Sequence, residues 1–473
     1  MTQLHERSAV ELAAMVRRQE LSARELLAAT LDRIDVVNPA LNAIVTLVPE
    51  MAERWAAAAD EASTRGDATG PLHGLPIAHK DLEPTKGIRT TMGSPLFADW
   101  VPDVDGLIIE RLRGAGAVTI GKTNTPELGA GSQTFNPVFG ATRNPYDTGR
   151  TCGGSSGGAA VALASGMTAI ADGSDMGGSL RNPASFCNVV GLRPSYGRVP
   201  AWPNRTPWSG LGTSGVMARS VDDLALQLQV VAGPDVRVPI SLPEPGSAFA
   251  AVIDGPDLDL AGVRVAWTPD LGLPVDAEVR AALAHVPDRL TELGCAVTGD
   301  QPDLRGAADV FQTLRAWSFL VSYGAIDDDA LGRVKDTVRW NLEFGRSLSL
   351  ADHAAASARH ARIVERVGAF FDRYDVLALP TAQVVPFDVE LDWPRTVEGQ
   401  PMETYIDWMR SCSDITVTGC PAVSMPAGFT PDGLPVGVQF VGRPRGDVEL
   451  LRFAKQWERA EPVGSRRATF DAS

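Results

Sequence analysis

Histidine and cysteine are scarce in this sequence of 473 residues, with six of the first and five of the second. The histidines (His5, His73, His79, His285, His353 and His360) form no HExxH-type metal pattern, and no GxSxG elbow accompanies them. Neither a metal centre nor a Ser-His-Asp triad therefore has support in a local motif. The cysteines (Cys152, Cys187, Cys295, Cys412 and Cys420) are odd in number and lack CxxC spacing. That argues against a disulfide framework and predicts reduced thiols in a cytoplasmic compartment. No run of eighteen apolar residues occurs, so no membrane-spanning helix is expected. The N-terminal MTQLHERSAVELAAMVRRQE reads as a polar helix rather than a secretory leader. The net charge of −15, without any Lys/Arg block, argues against nucleic acid or an anionic membrane as partner.

What is present is an ordinary globular composition, 44% hydrophobic and 21% charged, in a chain long enough to bury a core without a disulfide or metal. Two helices open it. Ser8–Glu11 and Ser22–Glu25 both fit the capping box, a serine followed three residues later by glutamate. The second helix is expected to end near Asn38–Pro39, and a third covers about 49–65. From Gly74 onward short apolar runs alternate with helical patterns: LPIAHKD, VDGLIIERLRGAG, AVTIGKTN and VALASGMTAIADGSD. The stretch 233–260 reads as a long connection. Strand VRVAWTPD, helix DAEVRAALAHVPDRLTELG and strand CAVT follow, then a mostly helical 303–372 and a return to strands in YDVLALPT, AVSMPAGF and PVGVQFVG. Strands alternating with helices predict an α/β fold. Because the alternation resumes after the connection, residues 1–473 are expected to form one domain.

Gly116–Thr123 matches the phosphate-loop pattern GxxxxGK[ST], but its central residues are Ala-Val-Thr-Ile, an apolar β-prone run. The reading here is a buried strand ending in a turn, not a loop curled around phosphate.

Two glycine-serine clusters stand out, GGSSGG at 153–158 and DMGGS at 175–179. Flexible linkers place glycine among polar residues, whereas these lie between apolar segments. Glycine in such a place lets backbone approach backbone or aims N–H groups at an anion. Met176-Gly177-Gly178-Ser179 therefore reads as an oxyanion hole with Ser179 beside it as nucleophile. With no histidine at hand, a buried lysine is the candidate base. Lys80 follows the apolar run LPIAH directly.

GLPIAHKD (74–81), GKTNTPELG (121–129), NPVFGATRNPYD (136–147), GGSSGG, GSDMGGSLRNPASFCNVVGLRPSYGRVP (173–200), GCPAVSMPAG (419–428) and GLPVGVQFVG (433–442) together resemble the amidase signature family of serine hydrolases. The resemblance implies a large central mixed, twisted β-sheet flanked by helices on both sides, with a core at about 74–200 and strands at about 375–442 completing the sheet. It also implies a Ser–cisSer–Lys triad. Lys80 matches the lysine, Ser155 the bridging serine with a cis Gly154–Ser155 peptide, and Ser179 the nucleophile. Ser174, Asp175 and Arg181 match supporting positions. The implied reaction is hydrolysis of an amide, anilide or carbamate C–N bond through a Ser179 acyl-enzyme, with no metal or organic cofactor. The alternatives are the glutaminase component of a tRNA-dependent amidotransferase and a catalytically silent binding relative. The expected partner is a small-molecule substrate, and the expected assembly a monomer or homodimer.

Three positions depart from the family pattern. Ser174 stands where threonine is frequent, His79 where valine is frequent, and Cys420 where asparagine is frequent. His79 is expected to add a titrating group near Lys80, and Cys420 to alter substrate contacts. Gly129, Ala130 and Gly131 occupy the loop that, by resemblance, lines the leaving-group side. They are expected to widen the entrance for a ring or long chain, with Trp208, Trp317 and Trp340 as candidate apolar walls.

Overall fold

The computed structural model describes residues 3–470. Both opening helices carry the capping boxes that the sequence predicts, at Ser8/Glu11 and Ser22/Glu25. The helix Ala23–Leu41 runs past the expected stop and takes Pro39 into its last turn. Asn42 closes it with φ 52, and the Asn38 carboxamide oxygen accepts from the N–H groups of Ala43 and Ile44, each at 2.9 Å. These bonds satisfy backbone that a proline stop would have left to solvent. The long helix expected from DAEVRAALAHVPDRLTELG is instead two, Ala277–Ala282 and Val286–Glu292. Pro287, at the start of the second, has no N–H to continue the first and its ring would clash with the preceding turn.

The centre is a mixed sheet of eight strands flanked by helices. Its order is Ala296–Gly299, Arg264–Trp267, Val376–Pro380, Pro435–Gly442, Ala422–Phe429, Val190–Arg193, Thr213–Ala218 and Ile170–Asp175. The first three strands are mutually parallel and every later neighbour is antiparallel. A second sheet holds Ile44–Leu47, Val118–Thr123 and Pro76–Lys80, with Val118–Thr123 in the middle. Two further two-stranded ribbons, Phe135–Asn136 with Gly140–Ala141 and Thr396–Val397 with Gln400–Pro401, stand apart from these two sheets. The helix Gly157–Ala164 is buried at every residue. A helix without a polar face belongs inside a protein, and its small residues allow close packing. A Cβ on Gly158 would lie 2.4 Å from the Asn124 nitrogen and 2.5 Å from the Ala43 oxygen. No larger side chain fits there, which accounts for the second glycine pair of GGSSGG.

One carboxylate stitches the two sheets together. Asp172, in the edge strand of the large sheet, accepts the backbone N–H of Lys80 at 2.8 Å with one oxygen and bonds His79 Nδ1 with the other. His79 Nε2 lies 3.0 Å from Thr119 Oγ1, which in turn accepts from Arg113 Nε at 3.0 Å. The chain of bonds runs Arg113, Thr119, His79, Asp172, Lys80, and it fixes the ring as the Nδ1–H tautomer. The P-loop-like lysine has a place of its own here. Lys122 Nζ donates to the Glu83 carbonyl at 2.7 Å and to Thr85 Oγ1 at 2.6 Å, from the end of a buried strand.

Asp172→Ala strands two buried donors, the Lys80 N–H and His79 Nδ1–H. The expected cost is about 2–5 kcal/mol, read as a lower urea midpoint with an unchanged slope. Asp172→Asn keeps one acceptor for Lys80 and should lose less. Equal stability of Asp172→Ala and wild type would show that the junction does not hold the sheets together.

Candidate active site

Lys80 ends the strand Pro76–Lys80 and is fully buried. Its Nζ lies 2.8 Å from Ser155 Oγ, 2.9 Å from Ser156 Oγ, 3.2 Å from Ser174 Oγ and 3.4 Å from the Ser174 carbonyl. Every one of these partners is neutral. Burial therefore pushes the lysine down to about 8, against the opposing pull of Glu83, Asp175 and Asp172. A neutral amine has two N–H donors and one lone pair. Ser156 and Ser174 can take the donors, which leaves the lone pair for the Ser155 hydroxyl. Burial pushes Lys122 down to about 8 as well, but its Nζ is tied to Glu83 and Thr85. Position rather than basicity singles out Lys80.

Ser155 follows a cis Gly154–Ser155 peptide. The loop around it is pinned from one side: Ser132 Oγ donates to the Gly154 carbonyl at 2.5 Å, and Thr134 Oγ1 to the Gly153 carbonyl at 2.7 Å. Asn182 Nδ2 donates to Ser132 Oγ at 3.0 Å. Ser155 and Ser179 line one cavity of about 260 Å³. Their backbones are linked by the Ser156 N–H, which donates to the Ser179 carbonyl at 3.0 Å. Among the described residues no hydrogen bond joins the two Oγ atoms, so the Lys80–Ser155 link is made directly and Ser155–Ser179 by shared position.

The turn 176–179 is held by an ion pair beneath it. Arg181 binds Asp175 with Nε at 3.0 Å and Nη2 at 2.8 Å, and Arg193 Nη1 lies 3.5 Å from the same carboxylate. Burial works against the charge of Asp175, but the two guanidiniums hold it well below the usual carboxylate range. The carboxylate also accepts the N–H groups of Gly178 at 3.0 Å and Leu180 at 3.1 Å. Gly178 N–H is thus already engaged. Met176, Gly177 and Ser179 keep N–H groups with no partner among the described residues. Gly178 itself has φ 111, and a Cβ on it would lie 2.6 Å from Cys412 Cβ. Both constraints demand glycine.

The departures have structural roles. Ser174 contacts Lys80 Nζ. Burial pushes His79 below its ordinary value although Asp172 pulls the other way, so the ring stays neutral and serves as a strut rather than as the expected second titrating group. Cys420 is fully buried in the apolar core with Ile415 and Val417 and is not part of the cavity wall. The loop 129–131 is divided. Gly129 (φ 67) borders the cavity of Ser155, whereas Ala130 and Gly131 (φ 122) border a second cavity of about 310 Å³ with Lys335 and Tyr405. Neither cavity wall includes Trp208, Trp317 or Trp340. Trp208 is 71% exposed, Trp317 packs edge-on to His353, and Trp340 packs on Phe344 and Tyr405. The aromatic walls of the Ser155 cavity are Phe319 and Tyr323. Ser156, within GGSSGG, and Asp172, just before the motif at 173–200, both contact Lys80, and nothing in the sequence marks either as doing so.

Among the described residues no group of three His, Cys, Asp or Glu is arranged to hold a metal ion, and no helix is long and apolar enough to cross a membrane. A family model described as amidase matches residues 25–451. The acylamidase of Rhodococcus erythropolis is 36% identical over 468 residues, covering 98% of this chain and 97% of that protein. The A subunit of glutamyl-tRNA(Gln) amidotransferase from Moorella thermoacetica is 35% identical over 491 residues, covering 98% and 99%. The crystal structure of a bacterial aryl acylamidase of the amidase signature family superposes with a TM-score of 0.91 at 28% identity, over 99% of this chain and 100% of the other. The buried lysine, the serine cavity and these likenesses agree: the chain belongs to the amidase signature family and is an amide hydrolase.

Proposed function

We propose that Ser179 is the nucleophile, Ser155 the proton carrier and Lys80 the base, and that the substrates are small secondary amides with an aromatic or otherwise bulky portion, anilides and aryl carbamates included. The observation that carries the reading is the 2.8 Å contact of a buried lysine with Ser155, in the wall of the cavity that also holds Ser179. Neutral Lys80 takes the Ser155 proton as Ser155 takes that of Ser179. Ser179 Oγ bonds to the carbonyl carbon, and the oxyanion is received by the N–H groups of Met176, Gly177 and Ser179. The C–N bond then breaks while Lys80, through Ser155, returns the proton to the leaving nitrogen. Water, deprotonated by the same route, releases the acid. Asp175 and Arg181 shape the turn without touching the substrate. Leu82, Leu128, Phe319 and Tyr323 give the cavity an apolar side suited to a ring.

Five buried free cysteines fit a cytoplasmic enzyme, and the bacterial sources of its relatives fit a bacterial one. The likeness to a component of an amidotransferase supports a second reading, a glutamine-hydrolysing protein that works in a complex. Purified chain offered glutamine and an anilide separates the two. Unaided anilide turnover without ammonia release from glutamine is the expected result.

Ser179→Ala should lower amide turnover by about four orders of magnitude or more and abolish labelling by a fluorophosphonate, with the fold retained in circular dichroism. Ser155→Ala should cost about two to four orders. Full labelling of Ser179→Ala would place the nucleophile elsewhere.

The base must be unprotonated to act. With Lys80 at about 8, kcat/KM for an anilide should rise about tenfold per unit up to about pH 8 and level off above it. Lys80→Ala should harm an anilide far more than an activated ester, whose leaving group needs no proton. A flat profile through that range, or equal harm to both substrates, would remove Lys80 from the relay.

Acetanilide should exceed acetamide in kcat/KM by about tenfold or more, because burial of the ring against Phe319 and Tyr323 is worth more than about 1 kcal/mol. A preference for acetamide would refute the bulky-substrate assignment. Gly129→Met, the obvious block, is a poor test. At φ 67, with Leu82 Cδ1 2.9 Å from any added Cβ, it disturbs the backbone as well as the space.

A further inference from the structure

The helix Ala307–Tyr323 lays one face along the catalytic cavity. Arg315, Ser318, Phe319, Ser322 and Tyr323, spaced i, i+3, i+4, i+7 and i+8, all line it. Arg315 is only 4% exposed. Its Nε donates to Tyr405 Oη at 3.0 Å, and its Nη1 lies 3.2 Å from Met176 Sδ, a weak acceptor. Its guanidinium sits over the Phe319 ring at 4.7 Å and the Tyr405 ring at 5.7 Å. Among the described residues no carboxylate lies within about 4 Å of it, and its Nη2 has no hydrogen-bond partner. The other charged residue lining the cavity is Asp175, already committed to Arg181 and Arg193. The rest of the polar wall is Asn204, Tyr323 and a set of serine and threonine residues. A buried guanidinium without an anion is costly, and here it lies one methionine side chain from the oxyanion turn.

We propose that Arg315 is a specificity-determining residue and that the preferred substrates of this hydrolase carry a carboxylate, which the free edge of the guanidinium binds while Ser179 attacks the amide. This rests on the reading of Ser179 and its cavity as the site of amide hydrolysis. Arginine suits the task because its planar fork matches a carboxylate and stays charged at every working pH. Tyr405, which also accepts from Asn341 Nδ2 at 2.7 Å, and Phe319 hold the fork in place before substrate arrives.

Two substrate pairs test this. The monoanilide of succinic acid is compared with butyranilide, placing the charge on the acyl side. 4-Acetamidobenzoate is compared with 4-methylacetanilide, placing it on the leaving group. In wild type, one carboxylated member should exceed its neutral partner by about 10- to 100-fold in kcat/KM, the worth of a charge-assisted hydrogen bond. In Arg315→Gln that ratio should fall to near one. Arg315→Lys keeps the charge without the fork and should give an intermediate ratio, and it decides the matter if Arg315→Gln does not fold. Absence of any preference in wild type, or a preference that survives both substitutions, overturns the proposal and leaves Arg315 as a cation–π strut. Failure of wild type to cleave any of the four anilides would instead refute the underlying hydrolase reading, so the two failures are distinguishable.

Discussion

The site depends on one desolvated amine. An ammonium group at the position of Lys80 Nζ would have only serine oxygens around it, and burial makes that charge unfavourable. The fold meets this constraint by moving the carboxylates one step away. Asp172 touches the backbone of Lys80 rather than its Nζ, and Asp175 is absorbed by two arginines. A carboxylate in direct contact with Nζ would raise its pKa and keep it charged. The strand end, the two serines of the GGSSGG loop and the Ser174 hydroxyl are all placed to solvate an amine without charging it.

The proposed reaction also requires a set of N–H groups fixed before any oxyanion forms. Asp175 provides it by a trade. It takes the N–H groups of Gly178 and Leu180, which bends the turn, and so leaves those of Met176, Gly177 and Ser179 free. Arg181 carries this order further out, donating to the Cys412 carbonyl at 3.1 Å, Gln439 Oε1 at 2.6 Å and Thr416 Oγ1 at 3.0 Å. The turn that carries Ser179 is thereby locked to residues far along the sequence, the nearest of them 231 positions away. The desolvation of an ion pair so deeply buried is offset only because every group in it finds a partner.

Much of this was legible in the chain. Capping boxes marked both opening helices, an apolar run before Lys80 marked a strand, and paired glycines marked the places where backbone packs on backbone. Other features depend on contacts distant in sequence. Asp172 looks like an ordinary acidic residue until the edge strand that bears it meets Lys80, 92 positions away. His79 reads as a titrating neighbour because sequence shows proximity to Lys80 but not the burial that keeps the ring neutral. The loop 129–131 reads as one entrance, yet the positive φ angles of Gly129 and Gly131 turn its ends toward two different cavities. The candidate tryptophans lie elsewhere, whereas the walls come from Phe319 and Tyr323, whose periodicity alone says only that one face of their helix is apolar.

In the proposed mechanism, the elements that perform the chemistry and those that meet the substrate are separate. Lys80, Ser155, Ser174 and Ser179 come from strand ends and glycine turns within residues 80–179, where each atom is fixed by neighbours that tolerate little change. The far wall of the cavity comes from one face of the helix Ala307–Tyr323 and from the loop around Asn204, Thr206 and Ser209. Substitution at a helix face alters a side chain without moving the backbone that carries it, so the far wall of the cavity can change while the contacts of Lys80 with Ser155, Ser156 and Ser174 stay intact. Similarity across the whole length of proteins described as an acylamidase and as a component of an amidotransferase is what such a division permits. It also explains why the motif residues identify the reaction, while the substrate has to be read from the helix that the motifs leave out.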